Sequence, residues 1–287
     1  MLLQFIINGL ITGLLYSLLA IGFALVYNTT KVFHIAAAGI YVFAAYMFWW
    51  LSGYMPLWVA GGMAIVLTMG LSLIAEFGIY RPLRKKNSSL NVMMIASIGL
   101  MTIIVNLISM IFGNETKVID SATLSTYSLG ELVITAPQLY QFIFACIAIA
   151  IFLVLLDYSK FGIKIRALSS DENSFEALGY NKQHTFAIVF LISGLFIGLA
   201  SCVTVYDVGL DPNMGMTVLI NAMVAMIIGG NGKFGTCVIG GLLLGILQSL
   251  TVFWFSSNWQ NAITFAVLLI FLFIRPQGIA GYKQRAI

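Results

Sequence analysis

The chain has 287 residues, of which 61% are hydrophobic and 8% are charged, and its formal net charge is +4. A soluble domain carries about 25% charged residues, and no soluble fold could bury this much apolar surface. The composition therefore excludes a soluble protein and predicts an all-α, polytopic membrane bundle, because backbone amides in hydrocarbon must be hydrogen-bonded within helices.

Apolar segments recur along the chain at the length that a membrane crossing needs, which is about 20 residues of helix. They predict nine spans, at 4–27, 33–52, 57–80, 90–112, 139–156, 185–206, 214–230, 235–255 and 259–274. The true count is expected to lie at about 8–10, since such boundaries are imprecise. The last two spans come from one uncharged run of 41 residues, Phe234–Ile274, which is long enough to cross twice.

The distribution of basic residues predicts the orientation, because cytoplasmic loops carry an excess of Lys and Arg. With the C-terminus inside and the spans alternating, every basic residue except Lys117 falls in a cytoplasmic segment. An even number of spans would break this bias, so the N-terminus is predicted outside and the C-terminus inside. Topology alone explains the positive charge, and no nucleic-acid partner is expected.

Two segments on the predicted inner side interrupt the apolar pattern. The first is Asn28–His34, and the second is Gly229–Gly235, which has four glycines in seven residues. Such breaks at matching positions are typical of transporters built from internal repeats. The two halves of the sequence do not align convincingly, so a repeat is only one interpretation.

Glycines four residues apart mark one face of three predicted helices. These pairs are Gly9 and Gly13, Gly194 and Gly198, and Gly241 and Gly245. Small residues at this spacing let helix backbones approach closely in lipid, so tight helix packing is predicted at each face.

One membrane domain is predicted over 1–287, with two long loops. The outer loop, at about 113–138, is polar and rich in Ser and Thr. It could form a short external hairpin or helix that faces a partner, and a passive solvated loop is an equal alternative. The inner loop, at about 157–184, is more informative.

Within the inner loop the sequence predicts a short amphipathic helix. Ser169 is the expected N-cap, with Glu172 three residues later as a capping box. Phe175 and Leu178 are expected on one face, and Gly179 is placed to end the helix in a left-handed conformation. So short a helix is unstable alone in water. It therefore needs a surface, which is either the bilayer interface or another protein such as a cytoplasmic motor.

Motifs along almost the whole chain resemble those of one transporter family. In chain order they are NGLITGLLYSLLAIGFALVYNTTKVFH from residue 8, IYRPLRKK at 79–86, ASIGL at 96–100, FGNE at 112–115, RALSSDENSFEALGYN at 166–181, GGNGKFGTCVIGG at 229–241 and RPQGIAG at 275–281. Their order and spacing make the chain similar to permeases of branched-chain or hydrophobic amino acid ABC importers, the LIV-type inner-membrane family. Similar permeases in this family serve urea and amides.

The resemblance implies that the inner loop is a coupling helix seated in a cleft of an ATP-binding subunit. The residues expected to make this contact are Arg166, Asp171, Glu172, Phe175, Glu176, Ala177, Leu178 and Gly179. After Ala36 the chain departs from the family, because relatives carry a His-Gly pair where this chain has Ala37 and Ala38. If that segment lines the route, substrate choice differs.

Polar and flexible residues in the spans are candidates for the translocation path, namely His34, Tyr41, Asn106, Asn221 and Met223. Asn106 and Asn221 are expected to be buried amides, which either line the path or join helices. His34 lies near the inner interface, where structural hydrogen bonding explains it better than ligand contact.

Glu76 is the only acid well inside a predicted span, five residues before Arg81. An ion-paired or snorkelling carboxylate explains it better than a proton or cation site. A proton-coupled carrier would need more embedded acids than this, so the sequence favours energy supplied from outside.

The second break superficially resembles a phosphate-binding loop, but the pattern G-x-x-x-x-G-K-[ST] fails. Ile227 stands where the first glycine should be, and Phe234 stands where Ser or Thr should be. The chain is therefore predicted to be no enzyme, with no catalytic residues and no directly bound metal or cofactor. Partner subunits would use ATP with Mg²⁺.

The resulting prediction is a permease subunit of an ABC importer in the inner (cytoplasmic) membrane. Its expected partners are membrane lipid, a second permease that is identical or different, two ATP-binding subunits and an extracytoplasmic solute-binding protein. A branched-chain or other hydrophobic amino acid is the first expected solute, with urea or a short amide as the alternative. A stand-alone channel, a secondary transporter and a non-transporting scaffold are alternatives of other classes.

Overall fold

A computed structural model describes residues 1–119, 126–129, 132–230, 234–275 and 277–279. Its helices are α1 (Leu2–Thr30), α2 (Ala36–Ser52), α3 (Leu57–Ala75), α4 (Arg81–Lys85), α5 (Leu90–Phe112), α6 (Ala136–Tyr158), α7 (Lys160–Ser170), α8 (Glu172–Ala177), α9 (Lys182–Val208), α10 (Met214–Gly229), α11 (Phe234–Trp254) and α12 (Gln260–Ile274). A π-helical segment, Glu76–Tyr80, joins α3 to α4, and a 3-10 turn, Ser257–Trp259, precedes α12. Strands β1 (Thr126–Leu129) and β2 (Leu132–Thr135) form an antiparallel hairpin.

In the described part of the chain, seven helical stretches are long and apolar enough to cross a membrane, and α2 and α10 are shorter apolar helices. Each of the nine predicted segments therefore coincides with a helix. Helix α1 ends at Thr30, within the first predicted break, and α10 ends at Gly229, where the second begins. Residues 231–233 of the second break lie outside the described residues. The number of crossings and the orientation stay predictions. Three cations used for the orientation, Lys233, Lys283 and Arg285, lie outside the described residues.

The chain forms two compact units. The first unit comprises Met1–Ala24, Ser121–Ala150 and Ile220–Ile287, and the second comprises Leu25–Asp120 and Ile151–Leu219. Helices α1, α6 and α10 each contribute one end to each unit.

Helix α2 is the core of the second unit, where it packs against α3, α5 and α9 and is buried along most of its length. It runs parallel to α5, because Ala36 N–H donates to Ser97 Oγ (2.8 Å) at one end and the Tyr46 and Phe112 rings lie 5.3 Å apart at the other. Ser97 comes seven residues after α5 begins at Leu90. Helix α2 therefore starts about 10 Å along α5.

The glycine pair of α9 faces small residues of α3, as its spacing predicts. A Cβ added at Gly194 would lie 2.8 Å from Ser72 Cβ, and one at Gly198 would lie 3.2 Å from Thr68 Cβ. Ser72 Oγ also donates to the Phe190 carbonyl oxygen at 2.7 Å. The close approach makes α3 and α9 an antiparallel pair with a hydrogen bond across the contact.

In the first unit, the other two predicted glycine faces contact each other. A Cβ added at Gly245 of α11 would lie 2.4 Å from Gly13 Cα of α1, and one at Gly9 would lie 2.8 Å from Ile246 Cα. Ser17 Oγ donates to the Val238 carbonyl oxygen at 3.1 Å. These backbones approach so closely that only glycine fits without movement, so tight packing is confirmed.

Gln248 of α11 links the helices of the first unit. Its Nε2 donates to Asn221 Oδ1 of α10 (3.2 Å) and to Thr264 Oγ1 of α12 (2.6 Å). Its Oε1 accepts from Tyr16 of α1 (2.7 Å). One buried amide thus joins three other helices, in surroundings where an unpaired polar group is costly.

The outer loop contains a hairpin, one of the forms expected for it, and the hairpin rests on the start of α1. Gln4 Nε2 donates to the Val133 carbonyl oxygen at 2.7 Å, and Val133 N–H donates to Gln4 Oε1 at 3.0 Å. Residues 120–125 and 130–131 of this loop lie outside the described part of the chain.

Candidate functional site

The inner loop contains two helices, α7 and α8, where the sequence predicts one. The expected N-cap at Ser169 is wrong, because Ser169 lies inside α7 and its hydroxyl donates to the Arg166 carbonyl oxygen (3.1 Å). Asp171 caps α8, since its Oδ2 accepts from Ser174 N–H at 3.3 Å. Asp caps a helix as well as Ser does, and the extended backbone at Asp171 separates the two helices. Glu172 therefore closes no capping box with Ser169.

Gly179 ends this segment as predicted. Its φ is +82°, a left-handed conformation that glycine adopts without strain, and its N–H donates to the Glu176 carbonyl oxygen (2.9 Å). The chain then turns toward Lys182, where α9 begins.

Phe175 anchors α8 to the rest of the second unit. It is 1% exposed and packs with Leu168 and Phe186 in one buried cluster, and its ring stacks on Tyr180 at 5.2 Å. Leu178 is 71% exposed, so the prediction that Phe175 and Leu178 share a face is wrong. The reason is that α8 ends at Ala177 and Leu178 lies in the turn that follows.

The exposed residues of this segment form what we call the exposed ridge, which comprises Asp171, Glu172, Glu176, Ala177, Leu178 and Gly179. Lys182 Nζ forms ion pairs with two of its carboxylates, those of Glu172 (2.8 Å) and Glu176 (3.1 Å). Arg166 is also exposed and pairs with Asp157 at 2.9 Å. These pairs are partly exposed, so each adds little to the stability of the fold.

Beneath the loop lies a buried ion pair. Glu76 is fully buried, and one of its carboxylate oxygens accepts from Arg84. Glu76 is thus ion-paired, one of the two forms expected for it, and Arg84 is its partner. Arg81 lies over the Phe77 ring instead. A π-turn contains more residues than an α-turn, so each residue of Glu76–Tyr80 advances by a smaller angle around the helix axis. This smaller advance brings Arg84 toward the same face of the helix as Glu76.

Arg84 also covers an aromatic ring of the buried cluster. Its guanidinium carbon lies 4.4 Å from the ring centroid of Phe186, the fifth residue of α9, which packs against Phe175. This is the geometry of a cation–π contact, which is stronger when desolvated.

His34 belongs to a buried hydrogen-bond network at the start of α2. Its Nδ1 lies 2.8 Å from the Tyr80 hydroxyl, which donates to Ser97 Oγ at 2.7 Å. Ser97 in turn holds the backbone of Ala36. The His34 Nε2 atom has no hydrogen-bond partner among the described residues. The contacts favour structural hydrogen bonding for His34, and a role in the path stays a prediction.

The other predicted path residues lie in different surroundings. Tyr41 is buried in α2, and its carbonyl oxygen accepts from Ser201. Asn221 is bonded to Gln248, and Met223 is half-buried on the same helix. Asn106 is exposed, so the expectation of a buried amide there is wrong. Its Nδ2 donates to the carbonyl oxygen of residue 102 on its own helix.

Asn106 lines a partly open cavity of about 210 Å³ within the second unit. The cavity is bounded by the first turn of α2, the middle of α5 and the start of α10, through Ala38, Met101, Thr102, Val105, Asn106, Pro212, Asn213 and Met216. Its walls are mostly apolar, with two amides and one hydroxyl and no charged side chain. Such a lining suits a small solute with an aliphatic group.

Three residues of these contacts were not singled out from the sequence. Gln248 could have been singled out, since it is the only Asn or Gln within the predicted span 235–255. Arg84 and Phe186 had none, because a cation near a helix end and an aromatic residue in a span are both ordinary.

Comparisons with known proteins agree along nearly the whole chain. The family model described as "Branched-chain amino acid transport system / permease component" matches residues 5–272. The chain is 28% identical to the high-affinity branched-chain amino acid transport system permease protein LivH of Escherichia coli (strain K12), over 98% of this chain and 96% of that protein. It is 26% identical to the corresponding permease protein BraD of Pseudomonas aeruginosa, over the same shares.

Solved structures also include chains of similar fold. A chain of PsaBC from Streptococcus pneumoniae in complex with Fab matches with a TM-score of 0.51 and 14% identity, over 94% of this chain and 91% of that one. At this identity the likeness concerns the fold alone.

Proposed function

Since the chain belongs to the family of branched-chain amino acid transport system permease components, we propose that it forms the translocation path of an ATP-driven importer for a branched-chain or other hydrophobic amino acid. The observation that carries this proposal is the family match over 5–272, which runs from the first turn of α1 to the last turn of α12. The named activities of LivH and BraD support the solute class. Urea or a short amide is the alternative solute.

The chain is a multi-pass membrane protein, and we place it in the inner (cytoplasmic) membrane with nine crossings. The relative directions of its helices support this alternation, because α2 runs parallel to α5 while α1 and α11 are antiparallel within the first unit. In the proposed complex it pairs with a second permease, two ATP-binding subunits and an extracytoplasmic solute-binding protein.

The exposed ridge is the proposed contact with an ATP-binding subunit. It presents the exposed Leu178 together with two carboxylates that are paired with Lys182, and the buried Phe175 packs the segment against the rest of the second unit. Leu178 therefore has the properties of an interface anchor, because its apolar surface is available for burial on a partner.

We expect Leu178→Glu to abolish solute uptake by the assembled importer while leaving the subunit in the membrane. A charge in the centre of an interface costs about 2 kcal/mol or more, so uptake should fall by at least about tenfold. The measurement is ATP-dependent uptake of radiolabelled leucine in proteoliposomes that contain the partner subunits, with valine and urea tested separately as competing solutes. Lys160→Glu, an exposed position at the far end of α7, is the control.

Two outcomes would contradict the proposal. Unchanged uptake in Leu178→Glu would remove the coupling role of the ridge. Solute flux through the purified chain alone, without ATP or partners, would favour a stand-alone channel or carrier. Competition by urea but not by valine would instead shift the solute to the alternative class.

A further inference from the structure

A continuous chain of contacts runs from the exposed ridge to the start of α2. Phe175 packs on Phe186, and Phe186 lies under the guanidinium of Arg84. Arg84 is paired with Glu76, the first residue of the π-helical segment. All of these residues belong to the second unit.

The far end of the π-helical segment continues this chain. Tyr80, its last residue, is fully buried and donates to Ser97, which accepts from the backbone of Ala36. Ala36 is the first residue of α2, and the same turn of α2 carries Ala38 on the wall of the cavity. The π-helical segment is therefore connected at Glu76 to the inner loop, through Arg84, and at Tyr80 to the first turn of α2, through Ser97.

Arg84 is the residue that ties the loop to this segment. The Glu76 side chain is fully buried, and among the described residues its charge is paired with the Arg84 guanidinium. The same guanidinium lies over Phe186, and a planar cation can make both contacts at once. Displacing Phe186 without Arg84 would break the stacking, and displacing Arg84 without Glu76 would leave a buried charge unpaired.

We propose that Arg84 is a positioning residue that makes the 171–179 segment and the π-helical segment move together, so that motion of the exposed ridge reaches the start of α2. This rests on the proposed function, because the ridge must first receive motion from a partner. Packed side chains and buried ion pairs transmit such shifts because they have discrete arrangements. Single π-turns within α-helices are frequent at functional sites.

The first test needs no partner subunit. Amide hydrogen exchange of the purified full chain in lipid nanodiscs reports how firmly the 171–179 segment is held, through bonded amides such as those of Phe175 and Leu178. We expect Arg84→Gln to speed exchange in this peptide and in the peptide that contains Ala36. Lys85→Gln makes the same charge change at an exposed neighbouring position and should leave both peptides unchanged. Exchange in Arg84→Gln equal to that of the unaltered chain would overturn the proposal.

The second test asks whether Arg84 acts by positioning the inner loop or only by neutralising the buried charge of Glu76. In the reconstituted importer, Arg84→Gln should lower solute uptake per ATP hydrolysed by at least about fivefold while ATP hydrolysis continues. Glu76→Gln combined with Arg84→Gln removes the unpaired charge, yet we expect uptake to stay uncoupled because the stacking on Phe186 is absent. Arg84→Lys keeps the charge but cannot stack and pair as a fork, so it should rescue uptake poorly.

A merely structural role would give a different pattern. Uptake and ATP hydrolysis would then fall in parallel with the amount of folded complex, or the double variant would restore full uptake, and either result would overturn the proposal. If the unaltered complex shows no ATP-dependent uptake, the proposed function fails, and the exchange experiment still decides whether Arg84 holds the loop.

Discussion

Single buried polar residues set much of the internal geometry. Gln248 bonds to Tyr16, Asn221 and Thr264, and Ser97 joins Tyr80 to the start of α2. In each case a polar atom in apolar surroundings finds partners on other helices, as it must where water is excluded. Such residues fix which helices meet, while the apolar residues around them fix how closely.

The cavity of the second unit gives a prediction at this scale. Met101→Trp should narrow the cavity of about 210 Å³ and lower solute uptake by at least about tenfold, without changing the amount of protein in the membrane. Ile103→Trp is the matched control, because Ile103 is 58% exposed on the same helix and does not line the cavity. Uptake assays on both variants in proteoliposomes check it. Equal uptake by both would show that the cavity does not lie on the solute route.

The sequence predicts the type of a residue's interaction better than its partner. Glu76 was expected to be ion-paired or snorkelling and is ion-paired, but its partner, Arg84, could not be named from the sequence. Asn106 and Asn221 look alike in the sequence, and only the packing makes one exposed and the other bonded to Gln248. These outcomes depend on neighbours that are distant along the chain, which periodicity does not reveal.

At the scale of helices, small residues decide the closest contacts. The glycines of α1 and α11 meet, and those of α9 meet Ser72 and Thr68 of α3. The spacing of the glycines was enough to predict which faces pack closely. The partner of each face could not be predicted, because spacing carries no information about which helix lies opposite.

Substitution of these glycines should be costly only where backbones touch. We expect Gly245→Ala to lower the free energy of unfolding by about 1–3 kcal/mol, because its Cβ would lie 2.4 Å from Gly13 Cα. Gly99→Ala in α5 is the control, since a Cβ there meets nothing within 4 Å and should stabilise the helix by up to about 1 kcal/mol. Denaturation in mixed micelles measures both. A Gly245→Ala protein as stable as the unaltered chain would refute the close contact.

The two helices of the inner loop show where prediction from pattern stops. Ser169 and Asp171 are both good N-caps, and the sequence does not say which one is used. The choice is made by Phe175, which must reach Phe186 across the turn at Gly179. Tertiary packing thus moves the cap by two residues and separates Leu178 from Phe175.

At the scale of the whole molecule, composition and charge determine what the chain can be. Hydrocarbon requires helices, and the length of each apolar run sets its boundaries to within a few residues. The division into two compact units has no counterpart in the sequence pattern, since each unit gathers segments that are far apart along the chain.

The orientation is a prediction for the whole molecule. In a variant without Cys146, Cys202 and Cys237, a cysteine at exposed Ala177 should react with an impermeant thiol reagent only from the cytoplasmic side. A cysteine at Glu115 should react only from the outside. Labelling of intact cells and inverted vesicles compares the two sides. Reaction of the Ala177 position from outside would reverse the topology and remove the ridge from any cytoplasmic partner.

The contact between α1 and α11 also bears on how the protein is made. Gly13 is synthesised early, whereas Leu242, against which it packs, follows more than 200 residues later. At about 5–20 residues per second, the ribosome needs roughly 10–50 s to bridge that interval. During this interval the face of α1 that carries Gly9 and Gly13 must be in contact with lipid or with an insertion chaperone instead of α11. Biogenesis of this subunit therefore finishes only when its penultimate long helix enters the bilayer.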